Sequence, residues 1–114
     1  MLIDQLREYC LSKSDAEEGM PFGEDILVFK VGGKIFLLCG IDDSPLQFNI
    51  KCDPALAIEL REQYPCVIPG YHMNKKHWNT IIIDGSVSTK LIQSWIDHSY
   101  ELVKKGKGGK KQKK

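Results

Sequence analysis

The chain has 114 residues, 42% of them apolar and 27% charged, with a formal net charge of +1. That length suits one domain, which buries roughly two-thirds of its unfolded surface and needs no disulfide or metal to fold. No apolar run approaches the ~20 residues of a membrane helix.

Leu2, Ile3, Leu6, Tyr9 and Cys10 share one helical stripe, with Asp4, Arg7 and Glu8 away from it, so a first helix is predicted to end near Ser12–Ser14. The polar stretch from Ser14 to Gly19 reads as a loop. Ile26–Val31 and Lys34–Ile41 read as two strands around Gly32-Gly33, a hairpin turn in which both residues tolerate positive φ. That turn predicts Phe29 opposite Phe36 as an aromatic cross-strand pair. After the break at Asp42-Asp43-Ser44-Pro45, Leu46, Phe48, Ile50 and Cys52 alternate with Gln47, Asn49 and Lys51, the pattern of a strand with one wet face.

Asp53-Pro54 is a helix start, Asp as cap and Pro at the first helical position. Leu56, Ala57, Leu60 and Tyr64 form its apolar face, and Pro65 ends it. Val67-Ile68 reads as a short strand, Tyr71–Lys76 as a loop and His77–Asp84 as a further strand. A last helix is predicted from about Ser88 to Gly106, with Leu91, Ile92, Trp95, Ile96, Leu102 and Val103 on its core side. The expected fold is therefore α+β, in the order α-β-β-β-α-β-β-α, an antiparallel sheet with helices packed on one face. The domain spans residues 1–104. The Lys/Gly-rich remainder, 105–114, cannot bury apolar surface and is expected to be disordered.

Met1-Leu2-Ile3-Asp4-Gln5 lacks the basic start and apolar core of a secretory signal, so a cytoplasmic location is expected. Cys10, Cys39, Cys52 and Cys66 stand far apart with no C-x-x-C spacing, which reads as reduced, buried thiols. Cys52, Cys66, His72 and His77 match no standard zinc spacing, so neither a metal nor a cofactor is expected. The sequence also lacks G-x-S-x-G, the phosphate-loop pattern, G-x-G-x-x-G and H-E-x-x-H. A Cys52 or Cys66 nucleophile with a His72 or His77 base has no supporting motif, and no catalytic residue is expected.

The net charge conceals a division. Seven of the 16 basic residues lie in the last eleven positions, so residues 1–103 hold nine basic residues against 15 acidic ones, a formal −6. In Pro69–Thr80, aromatics, amides and cations interleave. Such a mixture suits nucleic acid: lysines neutralise phosphates, amides bond sugars or base edges, and aromatic faces stack. The same residues also suit a structural role, with Trp78 as a core anchor and the lysines solvated.

Pro21-Phe22-Gly23, Leu27–Val31, Asn49–Pro54 and above all the histidine–tryptophan block Pro69–Thr80 resemble the MmcQ/YjbR-like family, from about Met20 to Val103. The resemblance implies a small bacterial domain of CyaY-like, double-wing type, and a DNA-binding role that rests on fold similarity. It implies Lys51, His72, Asn74, Lys75, Lys76, His77, Trp78 and Asn79 as nucleic-acid-binding candidates and names no catalytic residue. The expected partner is DNA, with a protein or small-ligand partner as the alternative, no membrane, and a monomer favoured.

Overall fold

The computed structural model describes residues 1–70 and 73–109, the last four by backbone alone. The elements are α1 (Ile3–Leu11), β1 (Ala16–Gly19), β2 (Ile26–Val31), β3 (Lys34–Gly40), β4 (Gln47–Lys51), α2 (Pro54–Gln63), β5 (Val67–Pro69), β6 (Trp78–Ile82) and α3 (Thr89–Gly109). The strands form one antiparallel sheet in the order β1-β2-β3-β4-β6-β5. All three helices contribute to the core on one of its faces. The expected α+β class holds, with one strand more than the sequence suggested.

That extra strand is β1. Ala16–Gly19 pairs with Val28–Val31, so the predicted Ser14–Gly19 loop is corrected to an edge strand. Its charges suit an edge, since Glu18 turns toward α1 and holds Arg7 at 2.5 and 2.7 Å. The Arg7 guanidinium keeps the Glu18 carboxyl below the usual carboxylate range.

A second correction concerns the hairpin. Gly32 and Gly33 both adopt positive φ as expected, but the register shifts after Phe29 and pairs it with Leu37. Phe36 is the residue gained by this bulge. Its ring still lies 6.4 Å from Phe29 and meets Tyr100 of α3 edge-on at 5.4 Å.

Helix caps follow the sequence closely. The Asp53 carboxylate accepts from the Ala55 and Leu56 amides, and Ser88 Oγ accepts from Leu91. The α3 backbone runs through Gly106 to Gly109, beyond the predicted stop. A glycine inside a helix costs only about 1 kcal/mol, and Gly106 has no left-handed φ to close the helix. Residues 110–114 of the expected tail lie outside the described residues.

One serine ties α3 to the sheet. Ser99, fully buried, donates to the Phe36 carbonyl at 2.6 Å and accepts the Lys51 amide at 2.9 Å. It joins the start of β3 to the end of β4 and fixes where α3 leaves the body. Ser99→Ala is expected to destabilise the fold by about 1–3 kcal/mol, because both backbone groups lose their partner at once. Urea denaturation checks this, with the transition slope unchanged.

Candidate functional site

Strand directions give the sheet two ends. At the first lie the end of β2, the start of β3, the end of β4 and the start of β6. Lys34, Lys51 and the Lys75-Lys76 turn stand there. Lys51 sits opposite Trp78, and the Cys52 amide donates to the His77 carbonyl at 2.7 Å. The segment 51–53 therefore runs alongside 77–78. This adjacency is what the alternating pattern of β4 left undetermined.

The turn before β6 is built by its own amide. Asn74 Oδ1 accepts from the Lys76 amide at 2.8 Å, and its carbonyl accepts from His77 and Trp78. Arg61 of α2 donates to the Lys75 carbonyl at 3.0 Å. Gly70 makes the close approach possible, since a Cβ there would lie 3.0–3.2 Å from Trp78 atoms. The Lys75 and Lys76 side chains are exposed; those of Lys51, His77 and Trp78 are half-buried.

α3 adds to this end. It starts beside the far end of β6 and passes Phe36 and Lys51 at Ser99, so Lys104 and Lys105 lie past the sheet on the lysine side. Asp15, Glu17 and Asp53 stand at the same end, with Asp53 engaged as the α2 cap and Glu17 opposite Lys30.

The candidates divide. Lys51, Asn74, Lys75, Lys76, His77 and Trp78 are brought together. Asn79 is not among them: its side chain faces the helices, is 1% exposed, and donates to the Ala57 carbonyl at 3.3 Å. Buried there, it holds α2 to the sheet and offers no surface to a ligand. His72 lies outside the described residues.

The opposite end is acidic, with Glu24, Asp25, Asp42, Asp43 and Asp84 exposed. Over the helix-free face runs a cleft of about 690 Å³. Its walls are Phe22, Ile26, Leu38, Ile68 and Met73; Asp25, Asp42 and Asp43 rim it, and Gln47, Asn49 and Thr80 line it. Sequence reasoning missed this cleft. A signal existed: Leu27, Val28 and Phe29 are apolar in succession, which fits a strand covered on both faces.

Among the described residues no group of three or more His, Cys, Asp or Glu could hold a metal, and no helix is long and apolar enough to cross a membrane. Cys52 and Cys66 are 2% and 1% exposed. Burial pushes the Cys52 thiol up to about 11, and the Cys10 and Cys39 thiols up to about 12. These thiols are protonated near neutrality, whereas a nucleophile needs the thiolate.

A model described as YjbR matches residues 11–102. Uncharacterized protein YbdF of Escherichia coli O157:H7 is 39% identical over 94 residues, covering 82% of this chain and 77% of that protein. Uncharacterized protein YjbR of E. coli K12 is 33% identical over 101 residues, covering 89% and 86%. The crystal structure of Deinococcus radiodurans protein DR2400, a DUF419 domain, superposes with a TM-score of 0.87 at 39% identity, covering 94% of this chain and 80% of that one.

The raised thiols generate a pH prediction. Unfolding returns Cys10, Cys39 and Cys52 to the ordinary value of 9.0, so the unfolded chain loses these protons first. Their contribution to stability is fully present below pH 9 and is lost as pH rises from there through about 11–12. The urea midpoint should fall across that window, and Cys10→Ala/Cys39→Ala should flatten the fall.

Proposed function

The chain belongs to the YjbR family, and from that premise and the division of charge along its sheet we propose that it binds DNA, without catalysis, through its lysine-bearing end. The observation that carries this reading is the gathering of Lys51, Lys75 and Lys76 around Trp78. Lys34 stands at the same end, and α3 delivers Lys104 and Lys105 there. A globule at formal −6 repels a polyanion unless its cations share one surface. Here the cations needed for attraction share an end of the sheet, away from Asp25, Asp42, Asp43 and Asp84.

Ammonium groups contact phosphates, releasing condensed counterions, while the half-buried Trp78 offers part of a ring beside them. Asn74 acts indirectly by shaping the turn that presents Lys75 and Lys76. Asn79 acts only by anchoring α2. Lys104 and Lys105 add attraction from the same side, and contacts of this kind position DNA more than they read sequence.

Titration of a labelled duplex between about 50 and 200 mM salt tests this. Lys51→Gln, Lys75→Ala and Lys76→Ala should each weaken binding and lower the slope of log K against log salt by roughly one. Lys90→Ala, at the start of α3 and the far end of the sheet, should leave the slope unchanged. A chain ending at Val103 should still bind with a shallower slope. If that chain ignores DNA while the three lysine variants match the parent, the proposal is wrong.

A further inference from the structure

The cleft on the helix-free face has its carboxylates at the end of the sheet away from Lys51, and its far wall is Met73, just before the lysine-bearing turn. Among the described residues, every ionised side chain lining it is a carboxylate: Asp25, Asp42 and Asp43. The remainder is an apolar wall and a short polar strip. A volume of about 690 Å³ falls in the range of small-molecule sites. From this we infer that the cleft binds a small organic cation, an ammonium head on an apolar or aromatic body.

The acidic rim is built by a tight turn rather than scattered along a coil. The Asp43 amide donates to the Gly40 carbonyl at 3.3 Å, and the Ile41 amide to the Asp25 carbonyl at 2.9 Å. These bonds hold the β3 exit against the β2 entry and bring the three carboxylates to one rim. Gly40 has a specific part in this. A Cβ at that position would lie 2.5 Å from Asp43 Oδ2, so the carboxylate folds over the strand only because no side chain is there.

Beneath the rim, Thr80 Oγ1 donates to Asn49 Oδ1 at 2.5 Å, which leaves the Asn49 amide nitrogen as a donor on the floor. Phe22 supplies the lid. It is 58% exposed although it lines the cleft, so much of its ring remains for an occupant to cover. An aromatic face beside carboxylates suits an ammonium ion twice, through cation–π attraction and through charge-assisted hydrogen bonds. An anion would meet three carboxylates there, which excludes phosphate-bearing ligands from this cleft. The cleft lies between the Phe22 segment and Met73, and its volume suits a compact molecule more than an extended peptide.

The test uses the full chain and phenethylamine, with 2-phenylethanol as neutral isostere and 3-phenylpropionate as anion. Amide NMR titration should give saturable shifts confined to Asp25, Gly40, Asp42, Asp43, Asn49 and Thr80. The alcohol should bind about tenfold more weakly and the anion not at all. Asp42→Asn/Asp43→Asn should weaken the amine about tenfold and leave the alcohol unchanged. Gly40→Ala keeps every carboxylate but displaces that of Asp43, so it should weaken the amine selectively in a chain that still folds. Equal binding of amine and alcohol, shifts spread over the acidic surface, or tighter seating of a pentalysine peptide would each overturn the assignment. DNA binding by the Asp42→Asn/Asp43→Asn chain should match the parent, so failure here and failure at the lysine end are separable.

Discussion

The antiparallel register between β4 and β6 governs most of what this molecule presents to its surroundings. It sets Lys51 opposite Trp78, Asn49 opposite Thr80, and Ile50 opposite Asn79. Side chains alternate between faces along a strand, so a slip of one residue would exchange the two sets. Asn79 would then leave α2, Trp78 would be driven into the core, and Thr80 would lose Asn49. Phe48, Ile50 and Ile81, all fully or nearly fully buried, oppose such a slip, because it would carry their apolar area into water. The core therefore fixes the surface. The position of the lysine-bearing turn follows from the burial of residues on the other side of the sheet.

Helix placement extends the same constraint. With α1, α2 and α3 all on one side, the second face of the sheet has no regular layer above it. Val28 and Leu38 are nonetheless buried there, beneath loop residues rather than a helix. Loops cover a sheet less completely than helices do, and the incompletely filled space is the cleft. Meanwhile Ser99 fastens α3 where β3 begins and β4 ends, so Lys104 and Lys105 follow at the Lys51 end rather than beside Asp42. A single hydroxyl thus links the packing of one face to the charge pattern at one end.

Much of the fold was legible because its local signals agree with its tertiary packing. Gly32-Gly33 marks a hairpin, Asp53-Pro54 a helix start, and the alternation from Leu46 to Cys52 a strand with one wet face; each stands where the residues indicate. β1 was not legible, since Glu17-Glu18 has no apolar alternation and becomes a strand only by pairing with β2. The bulge at Phe36 was hidden for a related reason: a turn fixes register at its own end, and core packing decides how far that register persists. Asn79 misled because Trp78-Asn79-Thr80-Ile81-Ile82-Ile83 lacks a clear period, so its face depends on β4, some thirty residues earlier. The sequence placed Lys51, Lys75 and Lys76 only as separate cations. Their placement at one end is a property of the sheet.

Part of the acidic excess of the globule stands at the end of the sheet away from the lysines, and distance weakens its effect on them. A five-residue strand is about 17 Å long. The Debye length at physiological ionic strength is about 8 Å. Carboxylates at the Asp25–Asp42–Asp43 end are thus separated from the lysine end by roughly two screening lengths, and their repulsion there is strongly attenuated. Net charge, which sums over the whole molecule, is a poor guide to either end. One sheet thus sets Lys34, Lys51, Lys75 and Lys76 at one end and Asp25, Asp42, Asp43 and Asp84 at the other, and the two groups feel each other more strongly as the ionic strength falls.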